Sequence, residues 1–598
     1  MSLDSSEIYF APDTKYFKTK DEFDKAISKD FIHHANKTLS NGEQFFVGLS
    51  HGKSPSGAYQ YIIDHYNKIT KPENIRYTFV NSPLVTQEGL SDVLDTRNFL
   101  LLLLKKGYIS KHQILGRNFK EEDIDNYCDE INLLIGNYLV EQRKEGFDYV
   151  FLASNPDGRV AGIERNSKAF SSSKIAVSVI VKKQKEITVT PSFLKKSKRI
   201  SFLATKSEKR RPLAWLYSIW GKEDESPSFL RYVDNVKEKM TVFVDDQALT
   251  WPQIEVERET PYGTSKIRID LANTYKPHTK EKLPVIVLVH GFLGLNSFDA
   301  LLAAIPTAKY IAAAMHYGTI PNDLPVSEYS HHVMKNIDAV VSFFGTKGHP
   351  VYLFDHSMGN IYFLMMDKEF DKLPGINTYL RGRIGANPFF GEEAKHALLG
   401  FLDNVIIPSV SFLENIAEKT ILFTFRSIIP LDSRKGVRRR GINLTEVLIQ
   451  NESKRTDAIW SAAKQRIMFL MSNMDSLPDL NRIPIENALN RLPSKIFAIQ
   501  INSALRESKA FDEQTGLLHT RIHKMPILIL KSDKDGVAKY VPRLYESDNV
   551  EVVDITNKQE DDLFREHLYH MVNPLSTTKI IDAFITKREQ ELNSGNGS

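Results

Sequence analysis

A chain of 598 residues, 42% hydrophobic and 25% charged, carries enough apolar surface for several cores and at usual domain size divides into two large domains. Its net charge of +4 is small for that length, so composition gives no case for a nucleic-acid partner. The single cysteine, Cys128, excludes an internal disulfide framework and fits a reducing compartment. No apolar run reaches the ~18 residues of a membrane helix. The start, Met1-Ser-Leu-Asp-Ser-Ser-Glu, has neither a basic nor an apolar leader segment. The expectation is a soluble, cytoplasmic protein, with delivery to another cell left open because some export signals leave no hydrophobic trace.

The first chemical signal in chain order is Phe45-Phe-Val-Gly48-Leu-Ser50-His51-Gly52-Lys53-Ser54-Pro55. An apolar strand feeds this glycine loop, and Ala58, Tyr59, Ile62, Ile63 and Tyr66 then share one helical face, which sets the loop amides at a helix N-terminus, an anion-binding geometry. As a nucleotide P-loop the segment is one residue short of G-x-x-x-x-G-K-S, and no strand-terminal acid is placed to serve a metal. Gly52, Lys53 and Ser54 are therefore candidates for holding a phosphate. Phe99-Leu-Leu-Leu-Leu-Leu104, ending in Lys105-Lys106, reads as a buried helix segment.

Three further segments follow: Tyr77-Thr-Phe-Val-Asn81-Ser82 with Asn98 after it, Asp148 to Asp157-Gly158-Arg159-Val-Ala161, and Glu186-Ile-Thr-Val-Thr190 with Glu208-Lys209. With the glycine loop they resemble the 6-phosphogluconolactonase and glucosamine-6-phosphate isomerase family, and the domain is placed at residues 20–248. The resemblance implies a loop that cradles a sugar phosphate, a carboxylate after the second strand, and a D-G-H segment that supplies the general base or acid. This chain departs from it where the chemistry lies. The acidic pair reads Asn81-Ser82, and the His reads Arg159, which stays protonated at neutral pH and cannot accept a proton as an imidazole does. Arg159 can still hold an anion. The expectation is a phosphate-sugar binding or structural module without the family's catalysis.

Val242 to Pro252 closes this domain. Ile254 to Ile269 then alternates polar and apolar residues around a Pro-Tyr-Gly turn, which reads as an opening hairpin. Pro284-Val-Ile-Val-Leu-Val-His290-Gly291-Phe292 is a buried strand ending in a turn, and Val351-Tyr-Leu-Phe-Asp355-His356-Ser357-Met358-Gly359 is another that runs into a Ser before a helix. That second turn reads as a nucleophile elbow in which Asp355 replaces the first glycine of G-x-S-x-G. Downstream, Pro526 to Asp535 is a third apolar strand ending in carboxylates, and Glu566-His567-Leu-Tyr-His570 precedes a last helix after Pro574.

Residues 254–590 thus resemble α/β-hydrolases of the lipase, esterase and thioesterase branch. The resemblance implies a Ser357, Asp535, His567 triad, with His570 in reserve, and oxyanion donors in the Phe292 and Met358 N–H groups. Residues 391–524 are too long for a connection and read as an inserted helical cap. Within it Arg438, Arg439 and Arg440 suit either a solvated surface or peripheral contact with an anionic head group. His331-His332 and Phe343-Phe344 read as packing or surface residues, and no metal site or cofactor is expected.

The fold expected is α/β in two domains: a lactonase-like parallel sheet with flanking helices, then an α/β-hydrolase fold with a large helical cap. The function expected is a serine hydrolase of an acyl ester or thioester. The alternative is a sugar-phosphate binding or sensing protein, with or without residual lactonase or isomerase activity, whose hydrolase half is a structural platform.

Overall fold

The computed structural model describes residues 13–83, 96–116, 123–164, 167–181, 184–216, 236–273, 275, 282–291, 298–321, 323–325, 328–357, 359, 362, 369–387, 525–532, 549–556 and 573–595. The chain divides into two compact units, Met1–Trp251 and Pro252–Ser598.

The N-terminal unit contains β1 (Asp13–Phe17), α1 (Lys20–Ser40), β2 (Phe45–Leu49), α2 (Ser56–Asp64), β3 (Ile75–Phe79), β4 (Asn81–Pro83), α3 (Thr96–Lys105) and α4 (Ile124–Glu141). It continues with β5 (Tyr149–Leu152), β6 (Ala176–Val181), β7 (Gln184–Val189), α5 (Pro191–Leu194), β8 (Ile200–Ala204), α6 (Arg210–Leu216) and β9 (Met240–Asp245). Six strands form a parallel sheet in the order β1-β9-β8-β5-β2-β3, and β4-β7-β6 form a small antiparallel sheet. Strands β2, β5, β8 and β9 are buried along their whole length, the state that a parallel sheet covered on both faces imposes, and each therefore reads as a near-continuous apolar run.

Helix α1 shows how sequence builds this layer. Thr19 and Glu22 form a capping box at its start, and Phe23, Ile27, Phe31, Ala35 and Leu39 repeat every four residues along its buried stripe. Phe31 packs against Tyr149 and Phe151 of β5, each with ring centroids 5.5 Å away. Truncating such a ring costs roughly 3–5 kcal/mol. In α3 the apolar run is buried on one face only: Phe99, Leu100 and Leu103 are covered while Leu101 is 49% exposed. Cys128 is free and buried.

The C-terminal unit contains β10 (Gln253–Thr260), β11 (Gly263–Leu271), β12 (Val285–Val289), α7 (Asp299–Ala304), β13 (Ile311–Met315) and α8 (Tyr329–Gly345). It continues with β14 (Val351–His356), α9 (Pro374–Tyr379), β15 (Leu380–Ala386), β16 (Ile527–Lys531), β17 (Val550–Asp554) and α10 (Pro574–Gly595). Its eight-stranded sheet runs β10-β11-β13-β12-β14-β15-β16-β17; β10, β11 and β13 pair antiparallel and all later pairs are parallel. Residues 391–524, with Arg438, Arg439 and Arg440, lie outside the described residues. Among those described, no helix is long and apolar enough to cross a membrane.

Candidate functional site

In an open parallel sheet, loops leave the carboxyl ends of the strands, and a crevice opens where successive connections diverge. The N-terminal sheet has that point between β2 and β5: the chain goes from β2 outward to β3, and from β5 the other way to β8 and β9. The loops that follow β2, β3, β5 and β8 therefore gather at one end of the sheet.

The loop after β2 carries Gly52 at φ +117, a conformation L residues rarely adopt, so glycine is required there. Ser54 is buried, whereas Lys53 is exposed. The Lys53 carbonyl accepts the Ser56 hydroxyl at 2.8 Å, and the Ser50 carbonyl accepts the Tyr59 hydroxyl at 3.1 Å, which pins both sides of the loop. The expected anion geometry at the start of α2 needs correction. The helix begins only at Ser56, and one of its first amides, Ala58 N–H, already donates to the carboxylate of Asp24 from α1. Asp24 is 5% exposed and ion-paired with Lys20, and burial raises its carboxyl above the usual range. A side chain from α1 thus takes part of the helix N-terminus that the sequence assigned to a ligand.

The loop after β5 brings most of the charge. Arg159 is 7% exposed; its Nε lies 3.0 and 3.1 Å from the two Asp157 oxygens, and its Nη2 lies 2.9 Å from one of them. Its other terminal nitrogen, Nη1, is buried without a hydrogen-bond partner among the described residues, 3.7 Å from Glu164. Asp157 also attracts Lys209 and Arg211 from the loop after β8 and the start of α6. Lys209 is 7% exposed, donates from Nζ to the Ser154 carbonyl at 2.6 Å, and has its ammonium pushed down by burial. Desolvation likewise lowers Arg211, to about 10, where it packs over the Trp215 ring. Gly158 admits that ring: a Cβ there would stand 2.2 Å from Trp215. Ala161, at φ +53, adds strain to the same loop.

Glu186 on β7 completes the cluster. Its half-buried carboxyl is raised by desolvation, against the pull of Arg159 and a hydrogen bond from Asn81. Lys209, Arg211, Glu186 and Asp24 were not among the expected phosphate ligands. A sequence signal existed for three of them: Glu186 and Lys209 stand in the segments that carry the resemblance, and Arg211 ends the basic run from Lys206 straight after an apolar strand.

In the C-terminal unit the corresponding switch point lies between β12 and β14, and Ser357 stands there at φ +52, 5% exposed. Asp355, the residue in place of the motif's first glycine, accepts Arg383 Nε at 2.9 Å on both oxygens in a buried ion pair. His290 is pushed down to about 3 by burial, and Tyr317 lies across its ring at 3.8 Å. Phe292, Met358, Asp535, His567 and His570 lie outside the described residues. His331 meets Glu369 at 2.9 Å, and His332 is buried against Arg258 and Asn336.

Residues 18–241 match the family model described as glucosamine-6-phosphate isomerases/6-phosphogluconolactonase. Similar solved structures include a 6-phosphogluconolactonase from Trypanosoma cruzi, 19% identical over 41% of this chain and 97% of that one, with a TM-score of 0.35. Another is the 6-phosphogluconolactonase from Thermotoga maritima, 20% identical over 39% of this chain and all of that one, TM-score 0.32. No curated protein matches the chain. These findings overturn the expected acyl-ester or thioester hydrolase. The matching family is one of sugar-phosphate proteins and lies wholly in the N-terminal unit. In the C-terminal unit the nearest carboxylate to Ser357 in sequence, Asp355, is bound by Arg383.

Proposed function

We propose that the N-terminal unit binds a phosphorylated sugar in the crevice between β2 and β5, and that the C-terminal unit, a sheet of α/β-hydrolase type, serves as its structural platform. The observation that carries this is the gathering of Arg159, Lys209 and Arg211 around one carboxylate, Asp157, at the carboxyl ends of adjacent parallel strands. The three cations are covered, whereas the carboxylates Asp157, Glu164 and Glu208 that face them are about half exposed to solvent, so a phosphate entering this partly desolvated place meets cations whose counter-ions water already screens. Arg159 presents a buried N–H without a hydrogen-bond partner among the described residues, which a phosphate oxygen would satisfy. The same guanidinium stands where the resemblance calls for a proton-accepting imidazole, so binding without efficient turnover follows.

Glu186 favours a second reading, residual lactonase chemistry, because its half-buried carboxyl, raised by desolvation, stands beside Arg159 and Asn81 where a carboxyl can carry a proton. Calorimetry of the full chain with 6-phosphogluconate and glucosamine 6-phosphate separates these readings. Saturable binding that gluconate and glucosamine do not reproduce, weakened at least tenfold in Arg159→Ala and Lys209→Met, supports the proposal. Equal heats for the unphosphorylated sugars would sink it. Lactone hydrolysis that disappears in Glu186→Gln would select the second reading.

A further inference from the structure

In the C-terminal unit, β10 is an edge strand: among the described residues it pairs with β11 alone. The Leu271 N–H donates to the Pro252 carbonyl at 2.8 Å, and in an antiparallel ladder the direction of the main-chain groups alternates. Residues 254, 256 and 258 therefore bond toward β11, while the main-chain groups of Glu255, Glu257 and Glu259 point outward from the sheet. Beside this edge runs a groove of ≈ 550 Å³ between β10 and the flank of α8. The small side chains of Ala339 and Ser342 on α8 keep it open, and Arg258, Lys335, Lys347 and Lys372 line it.

The charges of that groove are unevenly matched. Its acidic residues are engaged: Glu257 lies 3.2 Å from Lys266, Glu259 accepts the Thr264 hydroxyl at 2.8 Å, and Asp338 accepts the Ile376 N–H at 2.8 Å. Lys335 and Lys347 form no ion pair among the described residues; Lys347 donates from Nζ to the Phe343 carbonyl at 3.0 Å and lies over the Phe343 ring, which leaves its charge without a counter-ion. Lys372 approaches Glu369 only to 4.0 Å, and that carboxylate is already held by His331. Unpaired strand edges recruit extended chains, and lysines without counter-ions select acidic ones.

We propose that this groove docks an extended acidic peptide segment of a partner protein. The segment adds a strand to β10 through main-chain hydrogen bonds and sets its carboxylates against Lys335, Lys347 and Lys372. Alternate side chains of such a strand face α8, so an acidic residue at every second position is the matching pattern.

The test is fluorescence anisotropy of the full chain with a labelled ten-residue peptide of alternating Glu and Thr. Its controls are the Lys-Thr peptide and the Glu-Thr peptide N-methylated at alternate residues. Saturable binding is expected that weakens with salt, is lost on N-methylation, and drops about tenfold in the double variant Lys335→Glu, Lys347→Glu. Glu257→Pro removes one outward N–H without touching the ladder to β11 and is expected to abolish binding while keeping the wild-type circular dichroism spectrum. If that variant misfolds, the N-methylated peptide decides alone. Equal binding of the Lys-Thr or the N-methylated peptide, or indifference to the lysine reversals, would overturn the proposal. So would self-association of the chain that Glu257→Pro abolishes, since the edge would then belong to a second copy.

Discussion

Asp355 and Arg383 lie 28 residues apart and meet in the core, each about 1% exposed. Desolvation raises the Asp355 carboxyl, and the guanidinium opposes that shift. Removing one partner of such a pair strands the other charge, at a cost of roughly 3–5 kcal/mol, whereas an apolar replacement of both is close to neutral. Arg383→Met is therefore expected to lower stability by about that amount in urea titration, and Arg383→Met with Asp355→Leu to recover most of it. A double variant no more stable than the single one would show that the pair is not the unit that matters. In the sequence, Asp355 was legible only as a departure from a glycine motif. Nothing local to the chain announces a partner on the next strand. Gly158 is a similar case: its D-G-R turn was visible, but not that Trp215 would press against it. Gly158→Ala forces that ring aside and should cost roughly 1–3 kcal/mol, read as a lower midpoint in the same titration.

At the scale of elements, the apolar runs of β2, β5, β8 and β9 and the four-residue repeat of α1 made strands and helix legible, because burial on both faces or on one stripe leaves a periodic trace. Polar pinning between elements leaves none, and α8 shows it. Its Asn336 amide donates to Ser265 and to the Tyr317 carbonyl, and Arg258 donates to Asn336 Oδ1 and to the His332 ring. His332, 4% exposed, faces that guanidinium on one nitrogen and the Thr319 carbonyl on the other, and burial pushes it down to about 4. A histidine whose pKa is depressed on folding takes up its proton more readily when unfolded, so it contributes stability above pH ~6.5 that is lost as pH falls toward 4. A depression of that size makes the loss roughly 3 kcal/mol. Urea unfolding at pH 7.5 and pH 5 should show the wild type losing stability across this window, and His332→Asn should lose clearly less. An unchanged slope in His332→Asn would move the acid sensitivity to another group, His290 first, which burial also lowers. The Asp24 carboxylate at the start of α2 belongs to the same class of feature. Its position on α1, more than thirty residues before Ala58, hid it from any reading of the glycine loop.

On the whole chain, ligand linkage gives the sharpest test of how the two units share function. Each unit has its own sheet, and a cluster of buried apolar residues that runs from Phe23 to Phe243 gives the first a core of its own. A domain with its own core unfolds as a cooperative unit, so two transitions are expected in calorimetry of the full chain. A sugar phosphate bound by the N-terminal unit at a hundred times its Kd stabilises that unit by about 2.7 kcal/mol, which for a domain of this size raises its midpoint by roughly 5–10 °C. The optical probe is built in: of four tryptophans, Trp215, Trp220 and Trp251 precede Pro252 and only Trp460 follows it. Intrinsic fluorescence thus follows mainly the N-terminal unit, while calorimetry follows both. Glucosamine 6-phosphate should move the fluorescence midpoint together with one calorimetric transition and leave the other in place. Movement of both transitions would mean that ligand binding is coupled to the second sheet, which would then be a responding element and no longer a platform. Movement of the transition that fluorescence does not follow would place the anion site in the wrong unit, and with it the assignment of Arg159, Lys209 and Arg211 to phosphate.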